Sequence, residues 1–182
     1  MIAPADARNR RFVAEVLPYR GAAYNLARWI CRSEVDASDI VQEALTRALR
    51  YFGSFRGEDA RSWLLSIVRN SAHTWLATQK RPPALDAVEM WQHIENNPAS
   101  SHQDPENPLH EVIHQQEANR VRRAIAELQV DYREVLILRE LEDLSYRDIA
   151  RIVDCPVGTV MSRLSRARDA LSARLQLEAQ HP

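Results

Sequence analysis

Residues 145–171 constrain the fold of this chain most, because they predict two short helices joined by a tight turn. Ser145 and Asp148 form a capping-box-like pair that satisfies otherwise free backbone N–H groups, so a helix is expected to begin there. Pro156 cannot continue that helix but is tolerated in the first turn of a new one. The stretch therefore predicts a helix-turn-helix unit.

The second helix of this unit separates an apolar stripe from a polar face. Its apolar residues recur at steps of three and four: Val157, Val160, Leu164, Ala167 and Leu171. The opposite face carries small donors and arginine, which suit a DNA major groove, where Arg reads guanine edges. From periodicity alone, a solvated helical hairpin with a basic outer face fits the same pattern.

The words DCPVGTV and SRLSRAR within this unit resemble the −35-reading motif of the extracytoplasmic-function (ECF) sigma factors, bacterial initiation factors of the sigma-70 family. The resemblance implies −35 DNA contacts by Gly158, Thr159, Met161, Ser162, Arg163, Ser165 and Arg166. Met161 and Ser165 stand where relatives often have Arg or Lys and an aromatic residue or His. Base preference is therefore expected to shift, or more of the DNA contact to fall to Ser162, Arg163 and Arg166.

An amphipathic helix is predicted over residues 39–52, with Asp36 as its cap. On pattern alone, an ordinary amphipathic helix with a solvated polar face is the favoured interpretation. The segment DASDIVQEALTRAL is, however, similar to the family's region 2.2, which docks on the β′ clamp helices of RNA polymerase. The similarity implies core-polymerase binding by Asp36, Asp39, Ile40, Val41, Gln42, Glu43 and Arg47.

Gly53 and Gly57 mark a loop, after which a helix of about 20 residues is predicted. Aromatic residues beside an Arg and Asn face suit single-stranded DNA, where stacking contributes about 1–3 kcal/mol per base. Core aromatics with a polar exterior explain Trp63 and Trp75 as well. The segment FRGEDARSWLLSIVRNSAHTWL resembles regions 2.3 and 2.4, which capture the −10 element. That resemblance implies a base pocket with Tyr51 and Phe55, a base contact by Asn70, and backbone contacts near Arg69 and His73.

Composition changes between Pro82 and Asn119, where five of the nine prolines lie and Lys and Arg are absent. The prolines forbid a continuous helix and predict a flexible, acidic linker. Two explanations account for the acidic composition of this linker. It is either a solvated tether, or a segment that partly mimics RNA in the polymerase channels through which the family's linker passes. The expected organisation is a sigma-2-like domain (1–83), a linker (84–108) and a sigma-4-like domain (109–182).

The stretch His110-Glu111-Val112-Ile113-His114 matches HExxH, a spacing that can place two imidazoles on one zinc ion. A match of this kind arises by chance, and no third ligand is evident, so a helix start after Pro108 is the favoured interpretation. Cys31 and Cys155 lack CxxC spacing and are interpreted as free thiols. No metal, cofactor or catalytic residue is therefore predicted.

The chain is predicted to be all-α, with two small helical domains joined by the flexible linker. Its net charge of −1 means that DNA contacts must rest on local patches. The resemblance implies a non-enzymatic initiation factor that directs core RNA polymerase to −35/−10 promoters of a stress- or envelope-responsive regulon. An autonomous helix-turn-helix regulator and, more remotely, a zinc hydrolase using HExxH are the alternatives.

The partners implied by the resemblance are core RNA polymerase, at its β′ clamp helices and β flap, promoter DNA and an anti-sigma factor. No small-molecule substrate is expected. No apolar run approaches the roughly 20 residues that span a membrane. A cytoplasmic protein is therefore expected, associated with the nucleoid in the holoenzyme or held at the membrane by an anti-sigma factor.

Overall fold

A computed structural model describes the backbone of residues 4–56, 59–78 and 108–179, and these ranges contain helices and no strand. The helices are α1 (Pro4–Glu15), α2 (Arg20–Cys31), α3 (Glu34–Tyr51), α4 (Ala60–Thr78), α5 (Pro108–Ala126), α6 (Val130–Glu140), α7 (Tyr146–Val153) and α8 (Val157–Ala179). Short 3-10 helices occupy Leu17–Tyr19 and Phe52–Ser54. The all-α prediction is confirmed, while the predicted linker lies outside the described residues except for Pro108, which begins α5.

The N-terminal helices α2, α3 and α4 pack against one another, and α1 reaches them through the 3-10 turn at Pro18. Proline lacks the N–H that would continue α1, which explains the break in the helix. The most deeply buried side chains of this half are aliphatic: Val16, Leu26, Ile30, Leu64, Leu65 and Val68. Burying each such side chain contributes about 1.5–3 kcal/mol, so this cluster holds the N-terminal helices together.

The start of α3 differs from the sequence prediction, in which Asp36 was the cap. The N-cap is Ser33, whose Oγ accepts a hydrogen bond from the Asp36 backbone N–H at 3.3 Å. Just before it, Arg32 adopts a left-handed conformation with φ 60° and ends α2. The chain therefore reverses within two residues, and the earlier serine is the residue in extended geometry.

The C-terminal helices wrap around α6, which is buried continuously from Arg133 to Leu138. Ser145 caps α7 as predicted, since its Oγ accepts a hydrogen bond from the Asp148 N–H at 3.2 Å. The largest buried apolar side chains here are Ile137, Leu138, Ile149, Ile152 and Leu164. The helix-turn-helix thus rests on the helices that precede it.

The two halves of the chain pack together, an arrangement that the sequence left open. Helix α2 packs on α6 and α4 packs on α7, and one buried apolar cluster runs continuously from Phe12 to Ala167. The Arg133 guanidinium, itself buried, donates to the Ile30 carbonyl oxygen across this contact at 3.3 Å. Burial lowers the pKa of Arg133 to about 10, so the side chain stays charged at neutral pH.

Helices of membrane-spanning length and hydropathy do not occur in the described ranges.

Candidate nucleic-acid interface

The turn between α7 and α8 is closed by backbone hydrogen bonds. Asp154 adopts the left-handed conformation with φ 51°, which Asp tolerates better than most residues, and its N–H bonds the Ala150 carbonyl. The Pro156 carbonyl accepts hydrogen bonds from the N–H groups of Thr159 and Val160 at 2.9 and 3.2 Å. The sequence DCPVGTV therefore ends one helix and begins the next within three residues.

The middle of helix α8 divides into the two faces that its periodicity predicts, since Val160, Leu164 and Ala167 are buried. The predicted stripe is wrong at its ends: Val157, in the first turn, is exposed and Leu171 is half-buried. Of the residues predicted to contact −35 DNA, five are exposed and two are half-buried: Gly158, Met161, Ser162, Ser165 and Arg166 are exposed, and Thr159 and Arg163 are half-buried. Five of the seven predicted residues therefore face away from the core, whereas Thr159 and Arg163 lie at the border between the two faces.

The arginines of α8 differ in what they already contact. Arg163 bonds Asp131 at 2.9 Å, and Arg168 bonds Glu140 at 2.7 Å. Among the described residues, no acidic side chain lies within ion-pair distance of Arg166. Arg166 is consequently available to a ligand without breaking an internal contact, whereas Arg163 is not.

Helix α4 carries the residues predicted to contact −10 DNA near its middle. Asn70 is exposed. Arg69 and His73 are half-buried and both meet Glu134 of α6: Arg69 donates two hydrogen bonds at 2.9 and 3.0 Å, and His73 Nε2 lies 2.7 Å from the carboxylate. The structure therefore leaves Asn70 exposed, while Arg69 and His73 are engaged by Glu134.

A cavity of about 530 Å³ lies between the Phe52–Ser54 turn and α4. Phe55 lines it and contacts the Trp63 ring, with ring centroids 4.7 Å apart. Arg151 of α7 also lines it and lies 3.7 Å from Asp59. Tyr51, at the end of α3, is exposed and is not among the described residues that line this cavity. Of the two residues predicted to form the base pocket, Phe55 therefore lines this cavity and Tyr51 does not, and Arg151 of the C-terminal half contributes one wall.

Helix α3 presents the residues predicted to bind core polymerase in two layers. Asp39, Gln42, Glu43 and Arg47 are exposed, Asp36 is half-buried, and Ile40 and Val41 lie in the core. Sequence reasoning missed Val35, which is 74% exposed. Val35 precedes Asp39 by four residues and Gln42 by seven, so its helical spacing signals that it shares their face.

The sequence also did not reveal two acids that lie between the halves. Glu134 is fully buried, and Glu142 accepts hydrogen bonds from Arg61 at 2.6 Å and from Asn25 at 3.3 Å. Burial favours a raised pKa for Glu134, but hydrogen bonds from His73 and Arg69 outweigh it and hold the pKa below its usual range. Glu134 is therefore ionised at neutral pH. The hint in the sequence is that Glu134 stands directly before the apolar run VLIL.

The side chains of the HExxH stretch lie outside the described residues. Among the side chains that are described, no three His, Cys, Asp or Glu residues cluster closely enough to hold a metal ion. Both cysteines are free thiols, and burial raises the pKa of Cys31 to about 11, which leaves it protonated and unreactive at neutral pH.

Comparisons with known proteins identify both halves. Residues 16–82 match the family model Sigma-70 region 2, and residues 118–171 match Sigma-70, region 4. The ECF RNA polymerase sigma-E factor of Haemophilus influenzae is 40% identical over 154 residues, covering 83% of this chain and 79% of that protein. The protein of the same name from Escherichia coli K12 is 41% identical over 145 residues, covering 78% and 74%.

Solved structures agree on the fold. The sigma factor RpoE from Bartonella quintana, in complex with the anti-sigma factor NepR, aligns with a TM-score of 0.66 and 25% identity over 92% of this chain and 98% of that one. CnrH, in complex with the cytosolic domain of CnrY, aligns with a TM-score of 0.65 and 23% identity over 95% and 92%. With a helix-turn-helix in its region 4 and relatives at about 40% identity over most of their length, this chain belongs to the ECF sigma factors of the sigma-70 family.

Proposed function

We propose that this ECF sigma factor reads the −35 element with the exposed face of α8 and the −10 element with α4 and the adjacent aromatic cavity. The observation that carries the proposal is the exposed face of α8, where Ser162, Ser165 and Arg166 lie together opposite a buried apolar stripe. On α4, the exposed Asn70 amide suits a base edge. Phe55 offers an aromatic surface for stacking.

The domain boundaries proposed for this division of labour are residues 1–83, 84–108 and 109–182, with the helix-turn-helix at about 145–171. The two family matches, 16–82 and 118–171, fall inside the outer segments, which supports that division. A proline-containing link between the two domains lets core polymerase hold them at a separation that neither domain sets alone.

The test of the function is transcription in vitro with purified core RNA polymerase, with and without the chain, on a pool of genomic templates. Promoter-specific transcripts that appear only with the chain are expected. A template pool that yields the same products in both reactions would contradict the proposal. Binding to a palindromic operator by a dimer of the chain, without polymerase, would instead identify an autonomous regulator.

The exposed side of α3 is the proposed docking surface for core polymerase. It comprises Val35, Asp39, Gln42, Glu43 and Arg47. Ile40 and Val41 lie beneath it in the core, so their proposed role is to hold this face in position rather than to touch the partner. Glu43 and Arg47 bond each other at 2.6 Å and keep the polar surface ordered.

Asp39→Arg is expected to weaken core-polymerase affinity about tenfold, because a reversed charge at a complementary interface is repelled and poorly paired. Competition with a labelled wild-type chain for core polymerase measures the effect. Asp169→Arg, the same change at another exposed acid, on α8, is the control and should leave core affinity unchanged. If Asp39→Arg and Asp169→Arg bind core polymerase with equal affinity, the proposed docking surface on α3 is wrong.

The proposed partners also include an anti-sigma factor, since the Bartonella relative was solved in complex with one. The protein is proposed to act in the cytoplasm, where core polymerase and promoter DNA are found. It performs no covalent chemistry of its own in this proposal, because ECF sigma factors are transcription factors and the polymerase synthesises the RNA.

A further inference from the structure

One buried carboxylate touches cationic side chains from both proposed DNA-reading helices. Glu134, on α6, is 0% exposed and accepts two hydrogen bonds from Arg69 of α4 at 2.9 and 3.0 Å. His73 Nε2 lies 2.7 Å from the same carboxylate, and Arg163 Nη1 of α8 lies 3.8 Å from it. The proposed −10 and −35 readers therefore meet at a single acid.

The arrangement is incompatible with reading both promoter elements at once. Elements centred near −35 and −10 are roughly 25 base pairs apart, which corresponds to on the order of 80 Å of DNA at 3.4 Å per pair. Arg69 and Arg163 both lie within 3.8 Å of the Glu134 carboxylate. The two halves must therefore separate before the chain can contact both elements.

Glu134 also competes chemically with DNA. A guanidinium that donates two hydrogen bonds to a carboxylate uses the same fork that would bind a phosphate, so Arg69 cannot satisfy both. A DNA phosphate approaching this site would also meet the negative charge of Glu134. Around it, the Glu142 contacts with Arg61 and Asn25 and the Arg151 contact with Asp59 hold the halves together.

We infer that Glu134 is an internal substitute for DNA, which holds the two domains closed and occupies cations of both DNA-reading helices until core polymerase separates them. This inference rests on the proposed function of α4 and α8. Closure suppresses DNA binding by the free chain, and the contacts that core polymerase makes with each domain provide the free energy for opening.

Glu134→Gln tests the inference in the full-length chain, because it keeps the size of the side chain and removes its charge. Glu140→Gln is the matched control: it is the same substitution on the same helix, but Glu140 pairs with Arg168 inside the C-terminal half. Each protein is examined by small-angle X-ray scattering and by binding to a fluorescein-labelled mixed-sequence single-stranded DNA of roughly 20 nucleotides.

Glu134→Gln is expected to increase the radius of gyration, to bind the labelled strand about tenfold more tightly and to steepen the salt dependence by about one or two released counterions. Glu140→Gln should match the wild type in all three. Wild-type compactness and DNA affinity in Glu134→Gln would overturn the inference, as would expansion without a gain in DNA binding.

A second variant keeps the test decisive if Glu134→Gln fails to fold, which thermal melting would reveal. Glu142→Gln weakens another polar contact between the halves, with Arg61, and is expected to expand the chain and raise DNA affinity in the same direction. An unchanged radius and affinity in that folded variant would overturn the inference.

Transcription with core polymerase, run on the same proteins, separates the two proposals. If the wild type produces promoter-specific transcripts but the variants bind DNA no more tightly than the wild type, the role of Glu134 is overturned and the proposed function stands. Absence of promoter-specific transcripts from the wild type would overturn the proposed function, and with it the inference.

Discussion

Arg166→Ala is expected to lower −35-dependent transcription roughly 5- to 150-fold, because a bidentate arginine contact to a base is worth about 1–3 kcal/mol of discrimination. Arg166 is exposed on α8, and among the described residues it has no acidic partner within ion-pair distance. A contact between Arg166 and DNA therefore does not require an internal ion pair to be broken. Core binding should be unchanged, since Arg166 is far along the chain from the proposed docking surface on α3.

Arg168→Ala is the matched control for that measurement. Arg168 lies on the same helix and is also exposed, but it bonds Glu140 at 2.7 Å. Surface ion pairs contribute about 0–1 kcal/mol, so this variant should lose little activity. For each variant, we would measure transcription from promoters with intact and with scrambled −35 elements. Affinity for core polymerase would be measured on the same proteins. An equal loss of core binding in Arg166→Ala would show that α8 has been misassigned.

Leu164→Ala is expected to lower the free energy of unfolding by about 2–5 kcal/mol, the usual range for truncating a fully buried leucine. Leu164 is 1% exposed and belongs to the buried cluster that continues into the N-terminal half. The cavity removes packing contacts directly beneath the proposed DNA-reading face. Chemical denaturation, followed by circular dichroism, measures the change.

Leu177→Ala is the comparison for this prediction, because it is the same substitution on the same helix at a side chain that is 65% exposed. Exposed positions of this kind usually change stability by less than about 0.5 kcal/mol. If both variants unfold at the wild-type midpoint, α8 is not packed as described. If Leu177→Ala is the more destabilising variant, the outward and inward faces of α8 have been reversed.

The poor DNA affinity that we propose for the free chain has two physical sources. The first is the net charge of −1, which provides no general attraction to phosphate. The second is the occupation of Arg69 and Arg163 by internal acids, Glu134 and Asp131. The first could be deduced from composition, whereas the second depends on which helices meet in space.

Local signals were sufficient for most of the helices and for the helix-turn-helix. The Ser145 cap, the break at Pro156 and the two faces of α8 depend on residues within a few positions of one another, so the sequence carried that information. The cap of α3 was misplaced because the left-handed Arg32 allowed the chain to reverse earlier than the acidic cluster suggested.

Tertiary packing alone decided the surroundings of the site. The sequence determined that Arg69, His73 and Arg163 lie on polar helix faces, because helical periodicity assigns faces without knowledge of the rest of the chain. It could not determine that all three surround Glu134, since their approach requires α4, α6 and α8 to pack together across separations of 61 and 65 residues. That acid is buried because the packed core brings α4, α6 and α8 together around it.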